Sequence, residues 1–139
     1  MPHLPGVEAM MAKDEASRGL GIELIDQGEG RAVTRMTVRD DMVNGHAIAH
    51  GGLIFALADT AFACACNSFG PVTVAASADI VFVAPAYAGD VLMAAGAAWG
   101  AAVMTSGPLW PLACVPAAAS LAIAAGTAAI VRSRRKAAR

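Results

Sequence analysis

The sequence has few of the features that mark several large classes of protein. Basic residues give no excess of positive charge: ten Lys and Arg stand against eleven Asp and Glu, for a formal net charge of −1. A general nucleic-acid-binding protein carries a basic excess, so this balance argues against that class. Only three cysteines occur, Cys64, Cys66 and Cys114, and no two form a C-x-x-C pair. They indicate neither a disulfide framework nor a zinc site, and as buried free thiols they predict a reducing, cytoplasmic location.

The N-terminus lacks the order of a secretory signal peptide. Charged residues from Glu8 and Lys13 onward fall where such a peptide needs an apolar run. At 139 residues, the chain is predicted to be a single domain over 1–139, long enough to bury a core.

Charge is missing from a long stretch of the second half. Residues 91–131 contain no Asp, Glu, Lys or Arg. From about residue 93 alanine, glycine and proline dominate and alternation of apolar and polar residues disappears, which makes 93–139 an atypical segment.

Hydrophobic periodicity predicts an α+β fold. Apolar residues cover most of the circumference of a helix over 51–67, which indicates that this helix is buried on most sides. Two strands, this helix and further strands describe an antiparallel sheet packed on one central helix. The predicted elements are a helix over 7–18, a hairpin of strands 22–25 and 32–38 with a turn at 27–30, a loop over 39–50, the helix over 51–67, a strand over 72–83, and a turn at 89–90 into a strand at 91–93.

One carboxylate, Asp59, interrupts the apolar central helix. Burying a charge is costly unless it is paired, so we expect this acid to be buried for a chemical purpose and its pKa to be raised by burial. A structural acid with a satisfied partner is the alternative.

Gly51 and Gly52 stand at the start of the same helix. The first N–H groups of a helix have no partner within it, and the helix dipole adds partial positive charge there. A missing Cβ lets a substrate carbonyl approach closely, so the pair predicts an oxyanion-binding site. A tight entry into the helix is the simpler reading of these glycines.

The spacing of these groups has a consequence for assembly. Asp59 follows Gly51 by eight residues, which is about 12 Å along a helix axis. Asp59 therefore cannot easily serve a carbonyl bound at the start of its own helix, and the spacing predicts a homodimer in which a second chain supplies the acid.

Histidines before the helix raise the question of a metal. His46 and His50 are four residues apart, and with Asp59 they could form a ligand set. Asn44-Gly45 and Gly51-Gly52 place both histidines in a loop, so no metal site is predicted and His50 is equally well read as a helix cap.

The order and spacing of the motifs over 42–95 resemble the hotdog-fold acyl-CoA thioesterases of the phenylacetate-degradation (PaaI-like) type. The resemblance covers roughly the first 95 residues. The matching run is Asn44-Gly45, His50-Gly51-Gly52, Leu57-Ala58-Asp59-Thr60-Ala61, Asn67-Ser68, Val74-Ala75-Ala76, Pro85 and Gly89-Asp90.

The resemblance implies the hotdog fold and roles for particular residues. Asp59 is implied as nucleophile or general base, and the Gly51 N–H as the oxyanion donor, with His50 and Asn44 as supporting catalytic residues. The implied substrate-binding residues are Gly52, Thr60, Asn67 and Ser68, although Asn67-Ser68 also fits an ordinary helix end.

The implied activity is hydrolysis of an acyl-CoA, with an aryl-acyl group such as phenylacetyl or hydroxyphenylacetyl, and no cofactor. Two such helices lie antiparallel in the family's dimers, so a homodimer or a tetramer of two dimers is expected, with no nucleic acid and no membrane as partner. The alternatives are a non-catalytic acyl-CoA-binding hotdog protein, a hotdog dehydratase or hydratase, and a form tethered to a membrane.

The family pattern is expected to break near residue 93. Three explanations are open: a membrane-spanning helix over 109–131, a disrupted reading frame, and a divergent tail that still folds. Residues 109–131 are uncharged, with Trp110 near one end and basic residues after the other, but Pro111 and Pro116 lie within them.

Overall fold

The computed structural model describes residues 4–75, 78, 80, 82 and 84–98, together with the backbone of 129–133. The elements are helices α1 (Pro5–Lys13) and α2 (Glu15–Leu20), strands β1 (Glu23–Gly28) and β2 (Arg31–Thr37), a 3-10 turn (Asp40–Met42), helix α3 (Gly51–Asn67), and strands β3 (Val91–Ala97) and β4 (Ala129–Ser133). The strands form one antiparallel sheet in the order β1-β2-β3-β4, and α3 packs on β2 and β3. This confirms the predicted α+β arrangement of a sheet on one central helix.

Helix α3 has the bounds that its glycines and apolar run predict. Leu57 and Ala61 are fully buried, and they join a cluster with Met36 of β2 and Leu92 of β3. Truncating a buried leucine of this kind costs about 2–5 kcal/mol, so this cluster holds the helix to the sheet.

A second cluster holds the C-terminal half of α3. Val7 of α1 is fully buried against Cys64 and Ala65 of α3 and Ala32 of β2. The N-terminal segment therefore covers part of the helix surface that the sheet leaves open.

The single helix predicted over 7–18 is wrong in one respect, because two helices form with Asp14 between them. The carboxylate of Asp14 accepts a hydrogen bond from the Ser17 N–H at 2.9 Å and so caps the start of α2. An aspartate that bonds nearby N–H groups favours a helix start over a helix interior, which explains the break.

The predicted hairpin is confirmed, with a tighter turn. Gly28 pairs with Arg31, so only Glu29 and Gly30 connect β1 to β2. Gly30 has φ +70°, which glycine adopts without strain.

The strand predicted over 72–83 does not form among the described residues of that stretch, where Thr73 makes only an isolated bridge. The strands of the sheet are bonded in the order β1-β2-β3-β4, and no described residue of this segment belongs to it. Alternating apolar residues predicted the strand, but Val72, Val74, Ile80 and Phe82 are exposed.

Strand β3 extends beyond the residue 93 at which the pattern was expected to break. It runs to Ala97, in register with β2 from Val91–Thr37 to Ala97–Arg31. A Cβ on Gly96 would lie 2.4 Å from the carbonyl oxygen of Ala61, so only glycine allows β3 to approach α3 this closely. The small residues of 94–97 therefore fit the fold.

Strand β4 pairs antiparallel with β3. Among the residues that the structure describes, no helix has the length and apolar character needed to span a bilayer. The segment 109–131, considered as a membrane span, falls outside the described residues except for 129–131, which belong to β4.

Candidate active site

The loop before α3 is closed by its own asparagine. The Oδ1 atom of Asn44 accepts hydrogen bonds from the N–H groups of His46, at 2.9 Å, and Ile48, at 3.4 Å. The Asn44 N–H donates to the Ile48 carbonyl at 2.8 Å, and Ala47 between them has φ +58°. Asn44 Nδ2 has no hydrogen-bond partner among the described residues, so its donors are open to a ligand.

The end of this loop is anchored to the body of the domain. The Ala49 N–H donates to the Ala86 carbonyl, and the His50 N–H donates to the Met42 carbonyl, both at 2.8 Å. These bonds hold the residue immediately before Gly51, and with it the start of α3.

His50 caps α3. Its Nδ1 atom accepts the Gly52 N–H at 3.1 Å, and its carbonyl accepts the N–H groups of Leu53 and Ile54. In a neutral ring this geometry leaves the proton on Nε2. The capping role considered for His50 is thus present in the structure.

One N–H group at the start of α3 takes no part in this cap. Gly52, Leu53 and Ile54 donate to His50, whereas the Gly51 N–H has no acceptor among the described residues. An unpaired N–H at the positive end of a 17-residue helix is suited to bind an anionic oxygen. The sequence predicts this N–H as an oxyanion donor, and that role stays a prediction.

Asp59 departs from the expectation of a buried acid, because its side chain is exposed in the single chain. The sheet takes the opposite face of α3, where Leu57 and Ala61 are buried. The pKa of Asp59 is nevertheless raised, first by partial desolvation and second by the negative charge of Asp14. The direction expected from the sequence is confirmed, and part of its cause is a second carboxylate.

Asp59 lies on a face of α3 that the described chain leaves partly uncovered. Among the residues at helical spacing from it, Gly52 is exposed. The others are only half-buried, although most of them are apolar or aromatic: Phe55, Ala56, Phe62, Ala63 and Cys66. Burial raises the pKa of the Cys66 thiol to about 11, so a reactive thiolate at this face is disfavoured near neutral pH.

Thr60, predicted to bind substrate, faces the N-terminal helices. Its hydroxyl is 2.9 Å from the Ser17 hydroxyl and donates to the Ala56 carbonyl at 2.9 Å. Ser17 in turn bonds to Asp14, which links α2 to the turn of α3 that carries Asp59.

Asn67 and Ser68 hold the far end of α3. Asn67 Nδ2 donates to the carbonyls of Ala63 and Thr73, and its Oδ1 accepts the Thr73 N–H. The Ser68 hydroxyl accepts the Gly30 N–H at 2.7 Å. Both side chains are engaged within the chain, in keeping with the helix-end reading, and stand at the opposite end of α3 from Gly51.

Two contributors to the site escaped sequence reasoning. The sequence offers Asp14 as a helix N-cap, because a serine follows it by three residues. Nothing in the sequence indicates that Asp14 lies near Asp59. Phe82, whose ring meets Gly51, belongs to a stretch that looks like an ordinary strand. Across the described part of the chain, no group of three or more His, Cys, Asp and Glu is arranged to hold a metal.

An antiparallel sheet laid on one long central helix is the arrangement of a hotdog fold. The profile of the Thioesterase superfamily matches residues 46–108. The match continues past residue 93, in agreement with the course of β3.

Two solved structures are similar to the chain. The PaaI protein of Escherichia coli, from the phenylacetic acid degradation operon, has a solved structure that matches with a TM-score of 0.65 and 48% identity over 66% of this chain and 67% of that one. The TT0310 protein of Thermus thermophilus matches with a TM-score of 0.61 and 38% identity over 63% of this chain and 74% of that one. The chain therefore belongs to the thioesterase superfamily.

Among curated sequences, acyl-coenzyme A thioesterase PaaI of Escherichia coli (strain K12) is 51% identical over 81 residues, which are 58% of this chain and 58% of that protein. The chain spans about half the length of the curated relatives that it matches, from 47% to 58%.

Proposed function

We propose that this protein is a hydrolase that cleaves an acyl-CoA thioester to the free acid and CoA. The observation that carries the proposal is the Gly51 N–H, which points from a helix start with no acceptor among the described residues, on the same helix as an acid of raised pKa. The name of the E. coli relative, acyl-coenzyme A thioesterase, supports the same reaction class.

The Gly51 N–H would bind the thioester oxygen as negative charge develops on it. Removing one such donor from an oxyanion hole typically lowers kcat by about 10²–10³-fold. The donor needs a fixed position, and the bonds of His50 to Gly52 and Met42 provide it. Asn44, which closes the loop with Oδ1, would offer its free Nδ2 donors to the substrate.

Asp59 would act as nucleophile or general base. As a base, its carboxylate takes a proton from water, the water oxygen bonds to the carbonyl carbon, and the C–S bond breaks as CoA leaves and takes up a proton. As a nucleophile, its carboxylate forms an anhydride with the acyl group, CoA leaves, and water then hydrolyses the anhydride. Either route needs the ionised form of Asp59.

The site would be completed between two copies of the chain. Gly51 and Asp59 are separated by about 12 Å along one helix. Two antiparallel α3 helices would place Gly51 of one chain beside Asp59 of the other, and the partly uncovered face that carries Asp59 is available for this contact. A homodimer, alone or paired into a tetramer, is therefore part of the proposal.

The substrate would be an aryl-acyl-CoA such as phenylacetyl-CoA or hydroxyphenylacetyl-CoA, a choice supported by the operon named for the E. coli relative. No cofactor enters the proposed reaction. Four residues stay candidates for substrate contacts: Gly52, Thr60, Asn67 and Ser68. Their hydrogen bonds within the chain give them a competing structural role. A cytoplasmic location goes with the free thiols Cys64 and Cys66.

The test measures release of free CoA thiol from a panel of acyl-CoA thioesters by the full-length protein. Asp59→Asn should lower hydrolysis by several orders of magnitude while leaving acyl-CoA binding intact. Unchanged hydrolysis by that variant, or binding without hydrolysis by the wild type, would contradict the proposal, and the second result would favour the acyl-CoA-binding alternative.

A matched pair of variants isolates the N–H of Gly51. Gly51→Pro deletes this donor at the first helical position, where proline is well tolerated, and His50 before it already has the extended backbone that proline requires. Gly51→Ala keeps the N–H and adds a Cβ. We expect the proline variant to lose at least about tenfold more activity than the alanine variant.

A further inference from the structure

The ring of Phe82 lies against the start of α3. A Cβ on Gly51 would be 3.0 Å from Phe82 Cζ and 3.4 Å from both Cε atoms, so the tip of the ring fills the space that the glycine leaves. Phe82 is nevertheless 53% exposed.

This position borders the place where a bound carbonyl must sit. The Cβ bonds of a helix tilt toward its N-terminus, and the first N–H groups point the same way. A ring that touches the Cβ position of Gly51 therefore stands beside the oxygen that the Gly51 N–H would bind. The acyl group is attached to the carbon that bears that oxygen, so its first atoms would lie near the ring.

We propose that Phe82 is a specificity-determining residue, which selects a flat aromatic acyl group by presenting its exposed ring beside the Gly51 N–H. This inference rests on the proposed thioesterase function. Two aromatic rings in contact attract each other more strongly than their buried area alone provides. This extra attraction corresponds to a preference of about two- to tenfold for an aromatic group over a non-planar group of the same size. Gly51 then has two functions: its N–H binds the oxygen, and its missing Cβ makes room for the ring.

The test compares two thioesters that differ in planarity but share a carbon skeleton, phenylacetyl-CoA and cyclohexylacetyl-CoA. The measured quantity is the ratio of their kcat/KM values. Phe82→Leu keeps an apolar side chain and removes the aromatic plane, and it should reduce the ratio by about two- to tenfold. Retained hydrolysis of cyclohexylacetyl-CoA shows that the variant is folded.

Phe69→Leu is a matched control. Phe69 is also about half exposed, at 42%, and its Cζ is likewise 3.0 Å from the Cβ position of a glycine, Gly30. It follows the opposite end of α3, about 24 Å from Gly51 of the same chain. The ratio should be unchanged in this variant.

Each outcome decides the matter. An unchanged ratio in Phe82→Leu, or an equal fall in Phe69→Leu, overturns the role of Phe82 while leaving the thioesterase proposal intact. If the wild type hydrolyses no thioester of the panel, the thioesterase proposal fails, and the same ratio is then taken from the dissociation constants of the two intact acyl-CoAs by calorimetry. Hydrolysis of other acyl-CoAs but of neither test compound overturns the role of Phe82. The inference is supported if the wild type binds the aryl compound more tightly and Phe82→Leu abolishes this preference. It is overturned if the wild type shows no preference or binds neither compound.

Discussion

Replacing Gly96 with alanine should push β3 and α3 apart. The added Cβ would lie 2.4 Å from the carbonyl oxygen of Ala61, 2.5 Å from its carbonyl carbon and 2.8 Å from the Phe62 nitrogen. All three atoms belong to the backbone of α3, so no side chain can rotate out of the way. Helix and strand must separate by about 0.6 Å to restore a tolerable 3.0 Å contact.

The magnitude follows from the cost of overpacking, which is about 1–3 kcal/mol at buried positions. For a chain of this length, that cost corresponds to a fall in Tm of about 3–10 °C. The assay is thermal unfolding followed by circular dichroism. Asp59 is two residues before Ala61, so we also expect a loss of hydrolytic activity under folding conditions.

Gly19→Ala is the matched control. Gly19 lies in α2, and a Cβ there would meet no heavy atom within 4 Å. Alanine in a helix is favoured over glycine by about 0.5–1 kcal/mol, so this variant should raise the Tm. A wild-type Tm for Gly96→Ala would refute the packing of β3 on α3, and with it the assignment of residues 94–97 to the fold.

Three further predictions concern the site and the loop before it. Asp14→Asn removes the charge that helps to raise the pKa of Asp59, so the acid limb of the rate profile should move to lower pH, whereas Glu29→Gln in the hairpin turn should leave it in place. Ala47→Gly relieves a left-handed backbone and should stabilise the protein by about 0.5–1 kcal/mol, measured by urea unfolding. His50→Asn should keep the helix cap and most of the activity, whereas His50→Ala should lose about 1 kcal/mol of stability and much of the activity. Urea unfolding measures the stability and CoA release measures the activity.

The sign in the first of these predictions can be worked out directly. Ionised Asp59 is the active form, and activity falls as pH drops through its pKa, which the Asp14 charge raises. A limb that moved to higher pH in Asp14→Asn would contradict the account. Destabilisation by Ala47→Gly would show that the loop does not strain this residue, and inactive but stable His50→Asn would show that the imidazole takes part in the chemistry.

The central helix and its N-terminal site were predictable because their signals are local. Glycines at a helix start, a capping residue before them and a continuous apolar run specify α3 without reference to the rest of the chain. The hairpin β1-β2 was predictable for the same reason, since alternation and a glycine turn lie within one short stretch.

What could not be predicted depends on contacts distant in sequence. The exposure of Asp59 reflects which face of α3 the sheet takes, and an all-apolar helix does not reveal that choice. Gly96 looks like part of a featureless alanine-rich tail until Ala61 is seen to touch it. The strand expected over 72–83 had the correct alternation, but no described residue of this segment belongs to the sheet, and periodicity alone carries no information about neighbours.

The most direct measurement of the central claim combines two inactive chains. Asp59→Asn and Gly51→Pro are co-expressed with different tags, and the mixed species carrying both tags is assayed for release of CoA. If the acid and the amide come from different copies, each mixed dimer regains one intact site and shows about half the wild-type activity. Mixed dimers as inactive as either parent would contradict a site shared between two chains.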